Sequence, residues 1–286
     1  MTIRIEGLAA IADRYDAFLL DMWGCIHDGV TVFPGVPDLL ARLRKMGKRT
    51  VVLSNVPRLV PLLVENMPRY GIEASAFDAI VTSGETAWRA LERGEHGLGR
   101  KFVHVGLEGN IVDPATIGYA MVDDVAEADF VLATGAAGNG TLDLDALAPL
   151  VAAARERDLP MVCANPDLEV LRGEQRFLCA GTLAQRYEEI GGRTIYYGKP
   201  HRAVYEQAIA LSGVSDRSRV IGIGDAMRTD VAGARGAGIA QAFIPGGIHG
   251  EAMKAPMGTL PTEAAMAALS AQFGFAPTYV LAELRW

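Results

Sequence analysis

The feature that most constrains this chain is a short apolar run that ends abruptly in an acid. The run Ala17–Leu20 contains only apolar side chains, and Asp21 follows it directly. Four apolar residues followed closely by Gly24 predict a strand that is buried on both faces. An acid at the carboxyl end of such a strand lies where open parallel sheets bind their ligands. We therefore expect the chain to fold around a parallel sheet with a polar site at one edge.

The rest of the chain alternates between strand and helix patterns. Apolar runs predict strands at 50–53, 77–82, 101–105, 130–133, 160–164, 219–224 and 240–244. Helical spacing follows Pro34-Gly35 and recurs over 142–157 and 229–236. Alternation of this kind predicts a parallel sheet covered by helices. The pattern leaves open whether the strands from 101 to 164 extend one sheet or form an inserted domain.

Composition argues against several classes of function. The 286 residues carry 34 acidic and 27 basic side chains, a formal net charge of -7, which disfavours a surface that binds nucleic acid. Cys25, Cys163 and Cys179 are an odd number at wide spacing, which predicts reduced thiols and no zinc site. No apolar stretch approaches the ~20 residues that span a bilayer, and the start has no signal-peptide pattern. We therefore expect a cytoplasmic protein without a membrane partner.

Three further segments carry polar residues that suit a phosphate site built around Asp21. Ser54 and Asn55 follow one predicted strand, Asp225 follows another, and Lys199 stands in Gly-Lys-Pro. Phosphoryl transfer to an aspartate needs a nucleophilic carboxylate, a hard cation and donors to the phosphate oxygens. Asp21 suits the role of nucleophile, and Asp225 is suited to share Mg2+ with it. The Ser54 hydroxyl and the Asn55 backbone suit a phosphate oxygen, and Lys199 adds a neutralising charge.

Each of these segments also has a purely structural interpretation. An acid at a strand end often only caps a turn or a helix, and Ser-Asn after a strand is a common turn. Gly-Lys-Pro is compatible with an exposed loop, and Asp225 with Thr229 and Asp230 suits a loop that caps the next helix. Their occurrence together, in one order along the chain, favours a shared phosphate site.

In that order, the segments resemble the signature of the haloacid dehalogenase superfamily, and specifically its class IIA branch. The resemblance covers essentially the whole chain, and its motifs are Asp21-x-x-Gly24-x-x-x-x-Gly29-x-x-x-x-Pro34-Gly35, Ser54-Asn55, Thr82-Ser83-Gly84, Ala164-Asn165-Pro166-Asp167, Gly198-Lys199-Pro200 and Gly224-Asp225-x-x-x-Thr229-Asp230. It implies an α/β fold with a Rossmann-like core over 1–85 and 195–286, and an inserted α/β cap domain over 86–194. It also implies Mg2+-dependent hydrolysis of a small phosphorylated metabolite, a sugar phosphate or a nucleotide, through an aspartyl-phosphate on Asp21.

The same resemblance assigns roles to further residues. The ligands that it implies for Mg2+ are Asp21, the backbone carbonyl of Trp23, Asp225 and Asp230. The residues implied around the phosphate are Ser54, Asn55 and Lys199. The residues expected to contact the rest of the substrate are Arg58, Asn165 and Asp167, for which a surface ion pair or a turn is the structural alternative. The strands of the cap offer a surface for a homodimer, although composition gives no evidence for one.

One position departs from the family pattern. Phosphatases of the superfamily have an aspartate two residues after the nucleophile, which protonates the leaving oxygen and later activates water, whereas this chain has Trp23. An indole donates a hydrogen bond but does not act as an acid or base. Loss of such a group typically costs ~100- to 10,000-fold in rate. We therefore expect metal and phosphate binding to be retained and proton transfer to be impaired.

Four outcomes are compatible with Trp23. In the first, a neighbour takes over proton transfer, and Asp28 is the leading candidate ahead of His27. In the second, the substrate has a leaving group that needs no acid. In the third, the chemistry differs, as in family members that act on carbon–halogen or carbon–phosphorus bonds. In the fourth, which is the alternative function, the protein binds a phosphorylated ligand without turnover.

Overall fold

Two parallel β-sheets form the framework of the computed structural model, which describes residues 2–135, 142–173 and 175–286. Within these residues the strands are, in chain order, β1 (Ile3–Arg4), β2 (Ala17–Leu20), β3 (Arg49–Ser54), β4 (Ala79–Thr82), β5 (Lys101–Val105), β6 (Ala120–Met121), β7 (Phe130–Ala133), β8 (Met161–Cys163), β9 (Glu169–Arg172), β10 (Gln175–Leu178), β11 (Thr194–Tyr196), β12 (Val220–Gly224), β13 (Ala240–Phe243) and β14 (Tyr279–Val280). The α-helices are α1 (Val36–Lys45), α2 (Val60–Val64), α3 (Ser83–Glu92), α4 (Leu144–Glu156), α5 (Ala180–Glu189), α6 (Arg202–Ser212), α7 (Ala232–Gly236), α8 (Gly250–Met253) and α9 (Glu263–Phe273).

Strand β2 lies inside the first sheet, between β12 and β3, and is buried on both faces. The sheet has the order β1-β14-β13-β12-β2-β3-β4, and all neighbouring strands in it are parallel. Phe18 belongs to an apolar cluster that includes Leu39 of α1, whereas Leu19 belongs to one that includes Tyr205 of α6. Because successive side chains point to opposite faces of a strand, both faces of β2 need apolar residues. This double burial explains the uninterrupted run before Asp21.

The register of the central strands brings their carboxyl ends to one edge. Leu20 of β2 pairs with Ile223 of β12 on one side and with Val52 of β3 on the other. The residues that follow these three strands therefore emerge close together, as parallel pairing requires. Asp21 and Asp225 lie at this edge.

The second sheet is separate from the first. It has the order β11-β8-β7-β5-β6, and its neighbouring strands are also parallel. The expected α/β fold with an inserted α/β unit is confirmed, and the alternative of one extended sheet is wrong. The predicted limits at residues 85 and 194 fall inside α3 and β11. The division into a core over 1–85 and 195–286 and a cap over 86–194 stays a prediction.

A hairpin that the sequence analysis does not predict connects the inserted unit to the core. Strands β9 and β10 pair antiparallel and form a two-stranded ribbon outside both larger sheets. Gly173, which follows β9, donates its backbone N–H to the carbonyl of Asp28 at 3.3 Å. The hairpin therefore reaches across to the loop that follows β2.

Several local predictions match the structure closely. The strands predicted at 101–105 and 130–133 are β5 and β7, and the helix predicted over 142–157 is α4. The helix predicted over 229–236 begins as a π-helical turn at Met227–Val231 and continues as α7. Cys25, Cys163 and Cys179 are free and buried. Among the described residues, no helix is long and apolar enough to cross a membrane.

Candidate active site

One cavity gathers all the residues that the sequence analysis assigns to the site. It has a volume of about 890 Å³ and is lined by the loops at the carboxyl edge of the first sheet and by residues of the inserted unit. The assigned residues that line it are Asp21, Trp23, Asp28, Ser54, Asn55, Arg58, Asn165, Asp167, Lys199, Asp225 and Asp230. A concave pocket with several convergent polar and titratable groups is the usual form of a ligand site.

A buried lysine joins two carboxylates in this cavity. Lys199 Nζ donates to Asp21 Oδ1 at 2.6 Å and to Asp230 Oδ1 at 2.7 Å. The three side chains are only 3% to 8% exposed. Burial raises the pKa of Asp21, and the nearby ammonium opposes that shift. Burial alone would lower the pKa of Lys199, but Asp21 and Asp230 outweigh it and hold this pKa well above its usual range. The lysine therefore stays charged.

The turn after β12 fixes Asp230. Its Oδ2 accepts the backbone N–H of Ala226 at 3.1 Å, and its carbonyl accepts the Tyr205 hydroxyl at 3.0 Å. A Cβ at Gly224 would lie 2.0 Å from Asp230 Cγ, so the carboxylate packs directly against the glycine backbone. Position 224 must therefore be glycine, because a side chain there would occupy the place of the Asp230 carboxylate.

Asp225 lies between two further glycines. A Cβ at Gly24 would stand 2.2 Å from Asp225 Oδ2, and a Cβ at Gly247 would stand 1.8 Å from the same oxygen. The backbone N–H of Ile248 donates to Oδ2 at 2.9 Å. Burial, and then the charge of Asp230, raise the pKa of Asp225 to about 7. The close packing holds the carboxylate in one position.

The carboxylates of Asp21, Asp225 and Asp230 together form a donor set that suits a hard cation. Oxygens of Asp21, Asp225 and Asp230 all lie within 4.8 Å of one another. The single ammonium of Lys199 offsets the charge of only one of the three carboxylates. Burial of the remaining negative charge is costly unless a cation compensates it. Because Mg2+ and Ca2+ prefer carboxylate oxygens, the donor set fits a divalent ion of this kind.

The Asn55 side chain holds other parts of the site together. Its Oδ1 accepts the backbone N–H of Lys199 at 2.7 Å, and its Nδ2 donates to Asp167 Oδ1 at 2.9 Å and to the Lys199 carbonyl at 3.2 Å. The Ser54 hydroxyl oxygen accepts the backbone N–H of Val56 at 3.3 Å. Both amide donors of Asn55 are therefore used within the protein, which leaves phosphate contact at this position to its backbone.

Two of the residues expected to contact substrate, Arg58 and Asp167, also join the two units. Arg58 Nε donates to Asn110 Oδ1 of the inserted unit at 2.9 Å. Asn165 Oδ1 accepts the backbone N–H of Asp167 at 3.1 Å, which is the bond of an Asx turn. Burial raises the pKa of Asp167 more than Lys199 and Asn55 lower it. All three side chains line the cavity, and Arg58 and Asp167 also bond between the core and the inserted unit.

The Trp23 side chain is turned toward the hairpin. Its indole N–H donates to the carbonyl of Leu171 in β9. The ring packs so closely on Gly29, where φ is +86°, that a Cβ there would lie 2.3 Å from Trp23 Cζ2. Its other neighbour is His27, whose ring is 5.1 Å from the indole, centroid to centroid, in an edge-on arrangement. Trp23, which the resemblance places where an acid is expected, thus makes a contact between core and insertion.

Asp28 and His27, the expected substitutes for that acid, are both engaged in the loop. Asp28 Oδ1 accepts the backbone N–H groups of Val30 and Thr31, each at 2.8 Å. Burial raises the pKa of Asp28, but these backbone donors outweigh it and the net direction is downward. His27 Nδ1 accepts the Gly29 N–H at 2.9 Å, and burial lowers the pKa of His27 to about 4. At neutral pH, Asp28 is therefore an anion and His27 is uncharged.

Sequence reasoning missed three residues that shape the site. Leu171 accepts the Trp23 hydrogen bond, Asn110 holds Arg58, and Tyr70 stacks on His27 with ring centroids 4.5 Å apart. The hairpin had a local signal, because Gly173 separates two short runs that contain apolar residues. The other two contacts join residues that are far apart in sequence, and a single sequence carries no local pattern for them.

Family models match both ends of the chain. A model described as haloacid dehalogenase-like hydrolase matches residues 18–120, and a HAD-hydrolase-like model matches residues 196–285. The two matched segments contain Asp21, Lys199 and Asp225. Residues 121–195 of the inserted unit lie between the two matches.

Known relatives extend the likeness to the whole chain. The crystal structure of a hydrolase of the haloacid dehalogenase-like family from Brucella suis 1330 has a TM-score of 0.80 and 34% identity, and the match covers 98% of this chain and 99% of that one. Mouse chronophin is 27% identical over 236 residues, which are 80% of each protein. The glycerol phosphate phosphatase of Mycobacterium tuberculosis, crystallised with magnesium, has a TM-score of 0.65 and 23% identity over 83% of this chain and 70% of that one. The chain therefore belongs to the haloacid dehalogenase-like hydrolases, in the class IIA branch that its motifs indicate.

Proposed function

We propose that this protein is a Mg2+-dependent phosphatase that hydrolyses a small phosphate monoester through an aspartyl-phosphate on Asp21. The observation that carries the proposal is the cluster in which buried Asp21 bonds Lys199 and lies beside Asp225 and Asp230. The substrate class that fits a cavity of about 890 Å³ is a phosphorylated metabolite of the size of a sugar phosphate or a nucleotide.

The proposed ligands of Mg2+ are the side chains of Asp21, Asp225 and Asp230 with the backbone carbonyl of Trp23. A divalent cation here supplies neutralising charge for the phosphate oxygens. The magnesium in the crystal structure of the M. tuberculosis phosphatase supports the choice of ion. Ser54, the Asn55 backbone and Lys199 are the proposed phosphate contacts, and Arg58, Asn165 and Asp167 the proposed contacts to the rest of the substrate.

The proposed reaction has two steps at phosphorus. An Asp21 oxygen forms a bond to phosphorus while the bond from phosphorus to the ester oxygen breaks, and the leaving oxygen takes up a proton. Water then attacks the aspartyl-phosphate, loses a proton, and releases inorganic phosphate with Asp21 restored. Lys199 neutralises charge on Asp21 and on the phosphate in both steps.

Proton transfer is the weak part of this chain's machinery. Trp23 keeps its N–H bonded to Leu171 and offers no acid. We retain Asp28 as the proposed proton-transfer group, and its lowered pKa suits a base that activates water better than an acid that protonates a leaving group. The proposal therefore favours substrates whose leaving group departs without strong protonation.

Trp23 also favours a second candidate function, which is binding of a phosphorylated ligand without turnover. The test is phosphate release from a panel of esters whose leaving groups span a range of acidity, measured with Mg2+, with EDTA, and with Asp21→Asn. We expect release that EDTA and Asp21→Asn abolish, the latter by on the order of 10,000-fold or more, because loss of a nucleophile removes the whole pathway. Thermal stabilisation by inorganic phosphate without release from any ester would instead establish the binding protein.

A further inference from the structure

From these contacts we infer that Trp23 is a positioning residue that fastens the β9–β10 hairpin over Asp21 and so closes the cavity. The hairpin forms the roof of the cavity through Val170, Leu171, Phe177 and Leu178. This inference uses the proposed function only to say why a closed cavity matters, because an aspartyl-phosphate needs protection from stray water. The contact between Trp23 and the hairpin is present in the protein without substrate.

Neighbouring residues of the core fix the position of the Trp23 indole. Gly29 leaves no room for a side chain beside Trp23 Cζ2. His27 lies edge-on to the indole at 5.1 Å and stacks on Tyr70 at 4.5 Å with an interplanar angle of 3°. The indole N–H is therefore presented to the hairpin in a fixed direction.

Two further contacts join the hairpin to the core. Gly173 N–H donates to the Asp28 carbonyl at 3.3 Å, two residues beyond the Leu171 carbonyl that accepts from Trp23. Arg176 of β10 pairs with Glu251 of α8 at 3.3 Å, but Glu251 is 85% exposed. An ion pair in water of this kind contributes little. The Trp23–Leu171 hydrogen bond is part-buried, and together with the Gly173 bond it ties the hairpin to the loop over 23–28.

Position 23 consequently performs a different task from the one that the family pattern leads us to expect. The side chain does not transfer a proton. It sets how firmly the roof is held over the nucleophile. Because the hairpin lines the cavity, the strength of this contact should affect substrate affinity and access more than the chemical step.

The test is amide hydrogen exchange of the full-length protein with Mg2+, compared between wild type, Trp23→Phe and the matched control Trp286→Phe. Trp23→Phe keeps an aromatic ring and loses the N–H. We expect exchange in Glu169–Arg172 and Gln175–Leu178 to rise roughly fivefold in Trp23→Phe, which is the effect of one lost hydrogen bond, with no change in β2 or β12. Trp286→Phe should leave the hairpin as in wild type.

Two further readings separate positioning from a general structural defect. In Trp23→Phe, the KM for p-nitrophenyl phosphate should rise roughly fivefold while kcat changes less than about twofold. Trp23→Asp restores the family's acid and should show the same loss of hairpin protection. Unchanged hairpin exchange in both variants, or a KM equal to that of Trp286→Phe, would overturn the inference.

Amide hydrogen exchange of the hairpin tests the inference even if the protein does not hydrolyse phosphate esters, because exchange requires no turnover. Should Trp23→Phe not fold, Gly29→Ala provides the second variant, since its Cβ displaces an intact indole. Hairpin exchange equal to wild type in Gly29→Ala would then contradict the inference.

Discussion

The floor and the roof of the cavity are held by different kinds of interaction. The floor consists of Asp21, Lys199, Asp225 and Asp230, and its lysine makes charged hydrogen bonds of 2.6 and 2.7 Å in a buried setting. The roof is the β9–β10 hairpin, whose ties to the core include the carbonyl of Leu171 and the N–H of Gly173. Charges in low dielectric fix their partners firmly, whereas a few backbone bonds permit opening. Changes to the floor should therefore affect stability and chemistry together, and changes to the roof should affect access.

The largest effect is expected when the floor loses its only cation. Lys199→Met leaves Asp21 and Asp230 buried without their partner, and breaking a buried pair in this way costs about 3–5 kcal/mol of unfolding free energy. Urea unfolding in EDTA measures this loss. Mg2+ should restore part of the stability, because the ion compensates the same carboxylates.

The control for this change is Lys45→Met, which alters an exposed lysine on α1. It should unfold with the midpoint of the wild type. If Lys199→Met also unfolded at the wild-type midpoint, charged hydrogen bonds would not stabilise the floor. The floor and the roof would then not differ in the kind of interaction that holds them.

The next prediction concerns the pH dependence of the floor. The pKa of Asp225 is raised from 3.8 to about 7 in the folded protein. A raised acid pKa stabilises the fold below the unfolded value, and this contribution is lost as the pH rises through the folded value. Asp225→Asn should therefore gain stability relative to wild type between pH 5 and pH 8 in EDTA, by roughly a few kcal/mol.

The quantity to measure is the difference in stability between wild type and Asp225→Asn at each pH. Buried His27 and His104, whose pKa values burial lowers to about 4, destabilise the fold as the pH falls below 6.5 and oppose the Asp225 trend in wild type. Thermal unfolding of both proteins across this range cancels the histidine contribution. Parallel curves for wild type and Asp225→Asn would show that Asp225 does not titrate in this window.

A smaller effect is expected from the glycine that packs on Asp225. Gly247→Ala would place a Cβ 1.8 Å from Asp225 Oδ2 and must displace the carboxylate. We expect Mg2+ affinity to fall by roughly 10- to 100-fold, the usual consequence when support of a metal ligand is lost. Calorimetric titration with Mg2+ measures it. Gly236→Ala, where the new Cβ meets no heavy atom within 4 Å, should bind Mg2+ like wild type.

The sequence predicted the floor far better than the roof. Strand ends such as Asp21 and Asp225 follow uninterrupted apolar runs, so the local pattern both defines the strand and places the acid. Parallel pairing then brings those ends to one edge without any further information. The floor could be assembled from the sequence because each part depends on a few consecutive residues.

The contacts of the roof depend on residues that are distant along the chain. Trp23 and Leu171, which join the roof to the core, are separated by 148 positions. No periodicity shows that an indole N–H will meet one particular carbonyl. For Trp23, the resemblance indicated only that an acid is expected at this position. Asp28-Gly29 predicted a turn, but only the structure showed that Asp28 Oδ1 accepts the backbone N–H groups of Val30 and Thr31.

The smallest effect is expected from a change at Gly29, on which the Trp23 indole packs. This change tests whether the position of the hairpin depends on that packing. Gly29 and Gly47 both have positive φ, +86° and +70°, but a Cβ at Gly29 would meet Trp23 at 2.3 Å and a Cβ at Gly47 would meet nothing within 4 Å. Alanine at either site incurs the same kind of backbone strain, about 1 kcal/mol. Only Gly29→Ala should also expose the hairpin to limited trypsin cleavage at Arg172 and Arg176, because only that change displaces the indole. Equal cleavage in the two variants would mean that backbone strain, and not the position of Trp23, loosens the roof.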